Sequence, residues 1–312
     1  MVSPLVDAPL LEHTGDLEAR PLPPRIDQAR VDVRAAAGDL ARVPDARLEI
    51  PWQWRPVGEE AVRYGFYRIL ERIEEVEILA RESIAWGTSP GRACGLIAPA
   101  TAARWDLQGL LDPLATNEWD ADPGGSEWTI RQTLGHVING QRAYGWGTAW
   151  WQTQSHRPDD PDLPEASPKE LWATLPDETT DEVAGSLDDV RQRLDTVLDL
   201  AAERLAGLPS DRLGYGARWS GFAVDIGFRL GRWSSHIREH TVQVDKTLLL
   251  LGRQPSEVDR LVRLIFAAWG RAEAAVFGQP QGSATNDAAV LLAAAAVDAR
   301  DVARSVRSVA EG

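Results

Sequence analysis

The chain has 312 residues, with apolar side chains at 44% and charged ones at 26%, the composition of a folded domain rather than a disordered segment. Thirty-three Lys and Arg against 47 Asp and Glu give a net charge of −14, which repels phosphate backbones and argues against a nucleic-acid partner. The one cysteine, Cys94, excludes a disulfide framework or a cysteine-rich zinc or iron–sulfur site, and no apolar run approaches the ~18–20 residues of a membrane span.

Residues 1–25 carry Pro4, Pro9, Pro21, Pro23 and Pro24 and no clean period, so they read as a surface arm, partly disordered. They lack the basic and apolar blocks of a secretory signal, so a cytoplasmic protein is expected. Residues 26–48 read as a helix and a turn before Pro44. A stronger helix is predicted over about 57–85, where Val62, Phe66, Ile69, Ile73 and Val76 recur at steps of three or four. A second stripe on it holds Glu60, Tyr64, Tyr67, Glu71 and Glu74. Facing solvent it does no chemistry; facing a cavity it supplies acid–base groups and substrate contacts.

The Gly/Pro-rich stretch 87–100 reads as a loop. Helices follow at about 100–116 and 127–152, the second with Ser126 as its expected N-cap. Residues 153–180 hold five prolines and form a long connection with one short turn around KELWATL. A helix at about 181–207, a Gly/Ser loop with Trp219 at 208–222, and helices at about 223–251, 255–277 and 285–309 complete the chain. Almost no segment alternates with period two, so the fold class is all-α.

Five histidines are present. His13 lies in the arm and His156 in the Pro-rich connection. His236 and His240 form HIREH; four residues turn a helix by about 400°, so both imidazoles share one face, the spacing at which a helix offers two nitrogens to one metal. His136 sits mid-helix in LGHVING, and three neutral imidazoles leave a divalent ion open positions for water or substrate. Ile237 stands where a zinc-protease helix needs its Glu, and Thr133, Trp233 and Ile237 stand where a carboxylate-bridged di-iron bundle needs Glu three residues before His.

SEWTIRQTLGHVINGQRAY and GRWSSHIREHTVQVDKTL, about 100 residues apart, resemble the second and last bundle helices of the DinB-like superfamily. The resemblance covers about residues 97–280. It implies an up-down-down-up four-helix bundle in which His136, His236 and His240 bind a divalent transition metal such as zinc, nickel or iron. The implied division is an arm over 1–25, a helical segment over 26–96 packing on the bundle, the bundle over 97–280 and a C-terminal helix over 281–312. It also implies a homodimer, and thiol-dependent transferase or isomerase chemistry with a low-molecular-weight thiol such as mycothiol. The mycothiol-dependent maleylpyruvate isomerase branch places Glu where this chain has His236.

Around that site, Tyr144 and Gln243 are candidates for catalysis or for holding a ligating imidazole. Asn139, Trp233, Tyr64, Tyr67 and Glu71 are candidates for substrate contact, with Trp128 and Trp219 bracing the helix starts. Cys94, with no histidine near it in sequence, reads as an inert thiol. The first reading is a metal-dependent transferase acting on a small electrophile, with metal-assisted hydrolysis as a variant. The other is a non-catalytic helical module that captures a small apolar ligand or a partner helix.

Overall fold

The computed structural model describes residues 4–54, 58–87, 89–173 and 175–312. In chain order the helices are α1 (Pro4–His13), α2 (Pro24–Leu40), α3 (Val62–Gly87), α4 (Gly91–Ile97), α5 (Pro99–Leu111), α6 (Ile130–Trp151), α7 (Leu187–Leu205), α8 (Ile226–Leu250), α9 (Glu257–Glu273) and α10 (Ser283–Glu311). Two short antiparallel pairs interrupt them: β1 (Pro51–Gln53) with β2 (Glu59–Ala61), and β3 (Gly216–Trp219) with β4 (Phe222–Asp225). The class is all-α, and no described helix is long and apolar enough to cross a membrane.

Two apolar cores divide the helices. The first lies among α2, α3, α9 and α10, with Trp52 of β1 and Trp105 of α5 closing it. The predicted stripe of α3 is its contribution: Val62, Phe66, Ile69, Ile73 and Val76 are all buried there. Gly65 lets α10 close in, since a Cβ at that position would lie 2.1 Å from Val306 Cγ2. The second core is built by α4 to α8, with Leu10 of α1 and Phe277. The second helix set is therefore inserted between α3 and α9 of the first.

The insertion leaves α9, which the expected division groups with residues 97–280, packed in the first core. The buried face of α9, Val258, Leu261, Val262, Ile265, Phe266 and Trp269, belongs wholly to the first core. Periodicity marks an apolar face but not which neighbour covers it. Other local expectations also change. The arm contains α1, held by tertiary contacts: Trp146 Nε1 donates to the Val6 carbonyl at 2.7 Å, Gln152 Nε2 donates to that of His13 at 2.6 Å, and Leu10 and Thr14 are buried. The 87–100 loop contains α4, entered through Gly91 at φ 78° and anchored by buried Ala93, Cys94 and Ile97. The 208–222 loop contains the β3–β4 hairpin, whose turn residues Ser220 and Gly221 both take positive φ, as a two-residue hairpin turn demands. The expected helix start at residue 57 lies outside the described residues; α3 is helical from Val62.

Between the two cores lies a buried ionic network. Arg30 of α2 donates to both Glu273 oxygens at 2.9 and 2.7 Å and to Asp199 at 2.5 Å. Arg104 of α5 donates to Asp199 at 2.8 Å and Glu273 at 2.7 Å, and the Thr101 hydroxyl adds a 2.6 Å bond to Glu273. Arg34 pairs with Asp195, which also accepts from Gln108 at 2.7 Å. Burial alone would raise the Glu273 and Asp195 carboxyls; the surrounding guanidiniums outweigh it and hold both below the usual carboxylate range.

Candidate metal centre

α6 and α8 carry the three helical histidines, and both helices have strong start signals. Thr129, not Ser126, caps α6: its hydroxyl accepts from Gln132 N, and the Gln132 side chain accepts from Thr129 N, a reciprocal capping box. Asp225 caps α8 by accepting from Phe228 N at 2.6 Å, and Gly252 at φ 78° ends it. Gly140 sets the spacing between them: a Cβ there would lie 2.4 Å from His236 Cε1, so any larger residue would push that imidazole out of place.

The pair of helices brings His136, His236 and His240 together, with one ligand atom from each lying within 4.8 Å of the others. Ring centroids are 4.6 Å apart for His236 and His240, 4.8 Å for His136 and His240, and 5.4 Å for His136 and His236. The Nε2 atoms of His236 and His240 lie 3.2 Å apart. Nitrogens at ~2.0–2.1 Å around a tetrahedral ion are separated by about 3.3 Å, so these two need almost no movement to share a cation.

The outward nitrogens have partners. His240 Nδ1 lies 2.7 Å from Gln243 Oε1, an acceptor that puts the ring proton on Nδ1 and leaves Nε2 with its lone pair. His136 Nδ1 lies 3.4 Å from a Glu178 carboxylate oxygen, so Nε2 is the nitrogen free to ligate. His236 Nδ1 lies 3.2 Å from Gln141 Nε2, which also donates to the Trp233 carbonyl at 3.3 Å, while Gln141 Oε1 is buried without a partner. In that arrangement His236 carries its proton on Nε2. Turning the Gln141 amide over would offer Oε1 to Nδ1–H and free Nε2 for a cation, at the cost of the bond to the Trp233 carbonyl.

Burial first, then the neighbouring His240 and His136, push the His236 imidazole down to about 3. Burial also lowers His240, against the Gln243 bond. Both are therefore neutral near pH 7, the protonation state a metal ligand needs. The donor set and its geometry fit a divalent transition ion.

The other predicted residues divide. Tyr144 packs edge-on against His236, centroids 5.3 Å apart, and its hydroxyl accepts from Trp219 Nε1 at 3.2 Å. Trp128 lies on His136 at 5.1 Å. Trp233 is buried in the second core beneath the cluster. Asn139 is turned away, donating to the Pro176 carbonyl at 3.3 Å and tying the long connection to α6. Tyr64, Tyr67 and Glu71 are not at this site: they lie on α3, with Tyr64 exposed, Tyr67 packed on the first core and Glu71 paired with Arg68 at 2.7 Å. Tyr64, Glu71 and Glu74 face solvent because the opposite face of α3 is the one its partners bury; Tyr67 leans on the edge of that core. Gln141, Gly140 and Glu178 were missed. An N-G-Q run in a helix after a histidine was the available hint for the first two; Glu178 sits in a Pro-rich connection with no periodic signal.

Comparison with known proteins adds one positive finding. No curated protein and no solved structure matches the chain. Residues 100–244, the segment from α5 through the three histidines to Val244, match the DinB superfamily.

Proposed function

We propose that this protein is a metal-dependent enzyme in which His136, His236 and His240 hold one divalent transition ion, zinc, nickel or iron. Its reaction is thiol transfer or thiol addition to a small electrophile, with a low-molecular-weight thiol such as mycothiol as cosubstrate. The observation that carries the reading is the convergence of three imidazoles within 4.8 Å, two of them held neutral. When bound, such an ion supplies Lewis acidity and lowers the pKa of a thiol or water, so that the nucleophile forms near neutral pH.

The chain's own residues supply orientation. Gln243 fixes the His240 tautomer and is a positioning residue. The Tyr144 hydroxyl, held by Trp219 beside His236, is placed to hydrogen-bond a substrate. Trp128 screens His136 on one side. Hydrolysis is the second reading, because the His136 side chain is 33% exposed and gives water the same access as a thiol. The reading draws nothing from Tyr64, Tyr67 or Glu71.

The test uses zinc-loaded, untagged protein with cysteine, glutathione or mycothiol and monochlorobimane as electrophile. Turnover that disappears in His236→Ala and on chelation is the expected result. Bound zinc with no turnover for any thiol, and none with small ester substrates, would leave a non-catalytic metal-holding module.

A further inference from the structure

A cleft of about 510 Å³ opens between the two helix sets, bordered by α3, α4, α5, α8 and α9. It is separate from the histidine cluster. Arg238, on its wall, is two residues from both His236 and His240, about 200° around α8, so the cleft lies on the opposite face of that helix. Volume and position are those of a small-molecule site: such sites run ~300–1,000 Å³ and favour junctions between units.

The lining has three chemically distinct parts. The walls are alanine, proline and isoleucine side chains, apolar and slender. Arg81, Arg238 and Arg271 add three guanidiniums. Arg81 and Arg271 share Glu77 at 3.1 and 3.2 Å, and Arg271 also meets Glu74 at 3.0 Å. Arg238 is exposed and enters no ion pair or hydrogen bond among the described residues. The third part is Gln279, only 7% exposed, whose Oε1 is buried and accepts no hydrogen bond. A buried acceptor without a donor carries the whole cost of its lost hydration, so it marks a place where a donor belongs. Cys94 borders the same cleft, but its thiol is directed at the Phe277 carbonyl and burial pushes it up to about 11, so it offers no thiolate for covalent chemistry.

We infer that this cleft binds a small organic anion: an apolar body between the alanine walls, an acidic group at the Arg238 edge, and a hydroxyl or amide N–H donated to Gln279 Oε1 once that closed-off side chain turns into the cleft. The site stands independently of metal binding.

Gly95 gives a clean way to close it. Gly95 borders the cleft inside α4, and a Cβ there meets nothing within 4 Å, so Gly95→Leu fills the space without a clash at the backbone. The probes are 6-hydroxyhexanoate, 8-hydroxyoctanoate and 10-hydroxydecanoate, each beside the alkanoate lacking the hydroxyl, titrated calorimetrically into metal-free full-length protein. One equivalent should bind, with the best hydroxylated probe about tenfold tighter than its parent. Arg238→Ala should weaken both members of the pair about tenfold, Gln279→Leu should erase the hydroxyl's advantage, and Gly95→Leu, with an unchanged melting temperature, should abolish binding. No saturable binding by any probe, or undiminished binding in Gly95→Leu, overturns the site. Unchanged binding in Arg238→Ala overturns the anion assignment, and a requirement for zinc or for His236 would move the ligand to the histidine cluster.

Discussion

Two of the buried polar clusters among the described residues are built on opposite rules. At the junction of the helix sets, Arg30, Arg34 and Arg104 face Asp195, Asp199 and Glu273, and the charges close on one another. Between α6 and α8, three imidazoles face each other with no opposite charge among them. The first arrangement pairs each charge with an opposite one, leaving only Arg104 Nε without a partner, and fixes how α2, α5, α7 and α9 meet. The second leaves ring nitrogens converging on a point, and a cation there would satisfy all of them. Degree of burial does not separate the two: Glu273 and His236 are both buried. What separates them is where their lone pairs and protons go.

The largest effect should come from breaking the charge-paired cluster. Glu273→Ala leaves Arg30 and Arg104 to share Asp199, with one buried positive charge uncompensated, and should cost about 3–5 kcal/mol in urea unfolding, with metal stoichiometry unchanged. A loss of metal with no loss of stability would invert the assignment of the two clusters. Next is Gly140→Ala, whose Cβ would intrude on His236. Zinc affinity should fall at least as far as on loss of a ligand's hydrogen-bond partner, about 10–100-fold, while far-ultraviolet dichroism stays that of a helical protein. Gln243→Leu removes the His240 partner and should weaken zinc by about tenfold, the low end of that range, read by competition with a chromogenic chelator.

Acid separates the clusters by pH. Burial, then His240 and His136, hold folded His236 near 3, whereas an unfolded histidine titrates near 6.5, so the unfolded chain takes up the proton first as pH falls. Metal-free protein should lose this contribution progressively from about pH 6.5 towards 3. Glu273 and Asp195 are held below their ordinary values, so their contribution is present above about pH 4 and is lost only below it. Thermal melts between pH 7 and 4.5 should therefore slope in the wild type and slope less in His236→Ala, where His240 still contributes; parallel slopes would refute the sign. The smallest effect belongs to Tyr64→Phe and Glu71→Gln, which should leave zinc affinity and turnover unchanged.

The histidine cluster was legible in the sequence because its spacing is local. His236 and His240 are one turn apart on one helix, and helices could be read around both them and His136, although the caps, Thr129 and Asp225, were not. Gln141 was not legible, because its role depends on which residue of α8 faces it across the helix interface. The same blindness left the core joined by α9 unread and kept a cavity lining open for the Tyr64 stripe: amphipathic period identifies a buried face without identifying its partner. α1 escaped because its order comes from contacts with α6 rather than from its own pattern.

The central claim is that the three histidines form a metal site. Elemental mass spectrometry on untagged protein, wild type beside His236→Ala, tests it most directly. The account predicts about one equivalent of a divalent transition metal in the wild type and none in the variant. Wild-type protein that retains no metal after loading with zinc or nickel would contradict it.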